Sequence, residues 1–147
     1  MVSKSIGRNE AAKILLEQVV RRAYDGAIND MQSFLSEGPP GRNPPEDSVH
    51  RSHWFQSLDK DSQEHVRAII RASVDAAVFG CLVLLDNLTV GYPLDGQLSD
   101  YALYLQTYTD MEAHKADKHE TSVRINPPNI TEFLHDMFRW MLEERQT

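Results

Sequence analysis

Six histidines, one cysteine and an uneven run of carboxylates are the residues of this 147-residue chain whose types could do chemistry. Histidine and carboxylate together suggest a metal. Glu132 and His135 form a Glu-x-x-His pair, a spacing that puts both on one helix face. A carboxylate-bridged di-iron centre needs two such pairs and two further glutamates. No second pair and no His-Glu-x-x-His occurs. His50 and His53 sit in a proline-rich stretch, and His114 and His119 beside Glu112 and Glu120. They read as solvated side chains, so neither a metal site nor a cofactor is expected.

Nucleophilic chemistry is no better supplied. Gly-x-Ser-x-Gly, a P-loop and a dinucleotide-binding glycine turn are absent. A reactive thiol must be exposed and activated. Cys81 stands in Gly80-Cys-Leu-Val83 and reads as buried and inert. No catalytic residue is assigned, and the chain reads as leaning away from an enzyme. Asp75 shares a helical face with Arg67, Arg71, Phe79, Leu82 and Asp86. If buried, its carboxylate needs a partner. Arg71, one turn earlier, is the obvious one. The pair is a candidate polar cleft; its plainer reading is an ion pair along an exposed helix face.

Carboxylates and tyrosines gather elsewhere. Residues 1–60 carry eight basic and eight acidic side chains, so the whole net charge of −7 lies after them. Between Asp86 and Glu120 seven acids stand against Lys115 and Lys118, with four of the five tyrosines. Acids steer a basic partner and tyrosines give rigid contact area. The candidate partner-binding residues are Tyr104, Tyr108, Asp110, Glu112, Asp117 and Glu120. The same acidity argues against nucleic acid, whose binding is driven by Lys and Arg. The longest uncharged apolar run, Ala76–Leu85, has ten residues, about half of a bilayer span. No secretory signal opens the chain. A cytoplasmic protein with no membrane partner is expected, and a homodimer is compatible with the sequence.

The elements that must position these residues follow from periodicity. Apolar residues at helical spacing predict a helix from Asn9 to Glu37, weakened at Gly26. A proline-rich loop follows from Gly38 to His53. A second long helix runs from Asp59 or Asp61 to about Leu88, and its apolar second half reads as a buried central helix. Alternation in Leu98–Thr109 and Thr121–Ile125 predicts two strands, an antiparallel hairpin with a charged tip from Asp110 to Glu120. Ile130, Phe133, Leu134, Met137, Phe138, Met141 and Leu142 form the stripe of a last amphipathic helix, with Thr131 as its N-cap. The expected fold is α+β: one domain, 1–147, of two long helices, a hairpin or small sheet, and a C-terminal helix.

The segments Leu-Leu-Asp86-Asn, Asp95-Gly-Gln-Leu98, Val-Arg-Ile-Asn126 and Leu134-His-Asp-Met-Phe138-Arg-Trp140 resemble a group of small uncharacterised bacterial proteins. Some small acidic proteins of this general kind are immunity proteins that neutralise toxins. The resemblance covers about Trp54 to Glu144, supports the architecture and carries over no site residues. The expectation is a non-enzymatic, immunity-type interaction protein that binds a basic partner through its acidic, tyrosine-rich hairpin. Two alternatives stand beside it: a small enzyme or ligand-binding domain with a pocket near Asp75, and a structural homo-oligomer.

Overall fold

The computed structural model describes residues 6–86, 102–127 and 131–145. The fold is α+β: among the described residues, helices and one two-stranded antiparallel sheet. Its contacts cluster into two compact units, residues 19–78 and a second built from residues 1–18 and 79–147.

The expected first helix is three segments: α1 (Arg8–Gln18), a π-helical stretch (Val19–Asp25) and α2 (Gly26–Glu37). The irregular turn holds the β-branched pair Val19-Val20 and ends at Gly26, where helix propensity is lowest. The proline-rich loop ends at Pro45, earlier than its composition suggests. Glu46–Ser57 is helix α3, started by Pro45 and by Glu46 and Asp47 in the first turn, where acids suit the helix dipole. Its apolar periodicity is thin, which is why the sequence read as loop. His50 and His53 therefore stand on a helix, both exposed.

In the 19–78 unit, α3 packs on α2 around Val20, Ile28, Leu35 and Phe55. Gly38, at φ +101, turns the chain out of α2. Buried Ser52 donates to the Leu35 carbonyl at 3.1 Å, and Gln56 donates to the Ser36 carbonyl at 3.1 Å. These α3 side chains satisfy carbonyls that the end of α2 leaves without intrahelical partners. Trp54 is half exposed, so Phe55 is the large apolar side chain that α3 buries.

Helix α4 (Lys60–Leu85) is capped by Asp59. Its carboxylate accepts from the Ser62 amide at 2.9 Å and the Ser62 hydroxyl at 2.8 Å. These bonds, the amide foremost, hold the Asp59 carboxyl below the usual carboxylate range. The expected burial of α4 is not found: Leu82 is its one buried residue, and Ile69 is 65% exposed. Arg67, Arg71 and Asp75 share an arc that continues to buried Leu82 and Asp86. The uncharged arc through Ile69, Ser73, Ala76, Ala77, Gly80 and Leu84 faces outward, and Cys81 is exposed with it. Leu88 lies outside the described residues.

In the other unit, β1 (Tyr104–Thr107) pairs with β2 (Thr121–Arg124), Leu105 opposite Val123 and Thr107 opposite Thr121. The expected strand start at Leu98 lies outside the described residues. Helix α6 (Leu134–Glu144) buries Leu134 and Phe138 and packs on α1, which buries Ala11, Ala12 and Leu16. From α4, Phe79 meets α6, its ring edge-on to His135 at 5.3 Å and under the Arg139 guanidinium at 4.6 Å. Thr131 does not cap α6: its N-cap position is Phe133, which offers no side-chain bond.

Candidate interaction surfaces and the polar knot that positions them

The missing cap of α6 comes from 48 residues away. Asp86, at the end of α4, has a fully buried carboxylate. Oδ1 accepts from the Leu134 amide at 2.9 Å. Oδ2 accepts from the His135 amide at 3.0 Å and meets His135 Nδ1 at 2.7 Å. A carboxylate at a helix start satisfies orphan amides and suits the dipole. His135 is stacked on Phe133 at 5.5 Å, and its Nε2 lies 3.4 Å from Asp136 Oδ1. Asn126, also buried, donates to the Leu85 carbonyl and accepts from the Leu103 amide at 2.7 Å. Arg8 closes the far side: Nε donates to the Ile125 carbonyl at 2.8 Å, and Nη2 to the Glu132 carbonyl at 2.6 Å.

Asp86, Asn126 and His135 thus fasten the end of α4, the hairpin and α6 to one another. The fully buried carboxylate on this helical arc is that of Asp86. Asp75 is half-buried and Arg71 exposed. The Glu132–His135 spacing serves structure: Glu132 accepts from Asn9 at 2.9 Å while His135 turns to Asp86. Among the described residues no three His, Cys, Asp or Glu side chains gather as a metal site.

The hairpin displays the six candidate binding residues in different states of engagement. Tyr104, 50% exposed, shares the outer face of β1 with exposed Gln106, the two alternating with half-buried Leu105 and Thr107. The tip is more ordered than its charge suggested. It forms a short helix, α5 (Met111–Lys115), capped by Asp110, which accepts from the Ala113 amide at 2.8 Å. Asp117, at φ +53, ends that helix. The Asp117 amide donates to the His114 carbonyl at 3.1 Å and the Lys118 amide to the Ala113 carbonyl at 2.9 Å, a Schellman closure. The Tyr108 hydroxyl lies 2.9 Å from Gln106 Oε1 and 3.3 Å from Asp117 Oδ1, and its ring meets His114 edge-on at 4.8 Å. Partial burial first, then the Asp117 charge and its hydrogen bond, raise the Tyr108 pKa above the usual phenol value. Glu112 pairs with Lys115 at 2.9 Å, and the side chains of Glu112 and Glu120 are exposed. Asp110, Asp117 and Tyr108 therefore build the tip. Tyr104, Glu112 and Glu120 face solvent.

A second surface was not singled out by the sequence. A groove of about 660 Å³ lies between α1 and α6. Met137, Trp140 and Met141 line it with apolar surface, and Glu10, Glu17, Glu132 and Glu144 stand against Lys13 and Arg145. The spacing of Glu10, Lys13 and Glu17 on α1 was the available signal. Compared with protein-family models, curated proteins and solved structures, the chain matches none.

Proposed function

We propose that this is a non-enzymatic interaction protein that binds a basic partner, acting as an immunity-type inhibitor that occludes the partner's functional surface. The observation that carries the reading is the hairpin: an acidic tip whose turn, cap and aromatic contact are formed in the free protein. A preordered contact surface avoids the entropy cost of ordering on binding. Exposed Met111 supplies apolar contact next to Glu112 at the tip, and exposed Tyr104 adds to it from β1. The charges act chiefly on the association rate. Affinity capture from the native host tests this, with the Glu112→Lys/Glu120→Lys double variant as control. A basic partner retained by the wild-type protein and depleted by the variant is the expected result. Capture insensitive to both substitutions removes the hairpin from the interface.

A second reading, self-association, is favoured by the outward apolar arc of α4. That helix is long and apolar enough to cross a membrane by length and composition. Arg71 and Asp75 inside it favour a protein neighbour over lipid, because each charge at mid-bilayer costs about 2.5–3.5 kcal/mol. Light scattering after size exclusion is the test: a dimer converted to monomer by Ile69→Glu supports it, and a wild-type monomer at high concentration refutes it.

A further inference from the structure

The groove between α1 and α6 has the chemistry of a helix-binding site. The two helices start at the same end, where Arg8 and Asn9 bond Glu132. α6 offers Met137, Trp140, Met141 and Glu144 at offsets 0, 3, 4 and 7, and α1 offers Glu10, Lys13 and Glu17 at 0, 3 and 7. Each row spans two turns, about 10 Å. Trp140 is 59% exposed and also lines a neighbouring groove of about 400 Å³ with Thr131 and Asp136. A tryptophan between two grooves is the side chain most often found at the energetic centre of an interface. Methionines adapt to irregular apolar partners.

We infer that this groove seats a basic, amphipathic helical segment of the partner protein. Apolar side chains at i, i+3, i+4 and i+7 of that segment would lie on Met137, Trp140 and Met141, the helix-in-groove mode of recognition. Its lysines or arginines would face Glu10, Glu17 and Glu144, with one cation over the Trp140 ring. Charge complementarity selects this occupant. Four glutamates among the lining residues outnumber the two cations, and a chain of net charge −7 repels anionic lipid headgroups. The inference rests on the proposed binding of a basic partner and adds a second contact surface to the hairpin.

The test uses the full-length protein with Trp54→Phe, which leaves Trp140 as the only tryptophan. The probe is a synthetic helix with leucines at i, i+3, i+4 and i+7 and lysines elsewhere. Its control is the same peptide with glutamates for lysines. The expected result is a blue shift of Trp140 emission with the lysine peptide alone. Glu10→Lys/Glu17→Lys should weaken binding by about tenfold, which corresponds to about 1.4 kcal/mol. Hydrogen exchange read on the same complex should show protection in α1 and α6. Protection confined to the hairpin overturns the groove and leaves the binding of a basic partner standing. Binding of both peptides alike overturns the charge argument, and no binding of the lysine peptide overturns the groove. Separately, failure of the native-host capture to yield a basic partner would overturn the reading beneath it.

Discussion

Asp86→Asn tests the polar knot at its centre. The substitution keeps the shape of the side chain and leaves Oδ1 to accept from Leu134. It replaces Oδ2, which accepts from the His135 amide and meets His135 Nδ1 at 2.7 Å, with an amide nitrogen that cannot accept. One backbone amide at the start of α6 then loses its partner. A lost N-cap costs about 1 kcal/mol. A hydrogen bond to a charged group contributes about 1.5–3 kcal/mol. The Asp86 side chain is fully buried, so water cannot substitute, and the expected loss is about 3 kcal/mol. At this chain length that lowers the melting temperature by about 10 °C. Urea unfolding followed by Trp140 emission, in the Trp54→Phe background, reads the unit that holds the knot. The double variant with His135→Gln should lose less than the sum of the single changes, by at least about 1 kcal/mol, since residues in direct contact couple. A loss within about 0.5 kcal/mol, the range of a surface change, would refute the claim that Asp86 caps α6.

Four further outcomes follow from the same geometry. Phe138→Ala, at a fully buried position, should cost about 3–5 kcal/mol in the same urea assay. Asp59 has a carboxyl pKa lowered below that of the unfolded chain, so its cap stabilises at neutral pH and is lost as pH falls through the folded value. Acid titration by far-UV circular dichroism should show α4 loosening at low pH in the wild-type protein, with a smaller change in Asp59→Asn, whose cap does not titrate. Asp117→Asn should move the Tyr108 phenol back toward its ordinary value, measured by ultraviolet absorbance titration, because the Asp117 charge is one of the causes that raise it. Exposed Cys81 should react fully with a thiol reagent in the native state; if instead a second copy covers the α4 face, labelling slows as protein concentration rises.

The type of most elements was legible in the sequence, and their environment was less so. The α6 stripe predicted the buried faces of Leu134 and Phe138 because helical spacing reports one side of one element. The two strands follow from alternation in the same way, since period two reports the faces of a strand. Helix α3 was missed since its two buried residues, Ser52 and Phe55, include only one apolar side chain. Helix α4 was read as buried because composition does not say which arc a helix turns inward. Here the charged arc leads to buried Leu82 and Asp86. The knot escaped notice for a related reason. Asp86, Asn126 and His135 are 40 and 9 residues apart in the chain, and only the fold brings them together. The hairpin acids were recognised as a group, but which of them build the tip and which face solvent depends on Asp110 capping α5 and Asp117 ending it.

The most direct test of partner binding is the association rate of the full-length protein with the captured basic partner, measured by stopped flow across a range of ionic strength. The expected rate falls steeply with salt, with a shallower slope in Glu112→Lys/Glu120→Lys, since exposed charges steer encounter and salt screens them. An association rate independent of salt, or unchanged in slope by the two substitutions, would contradict it.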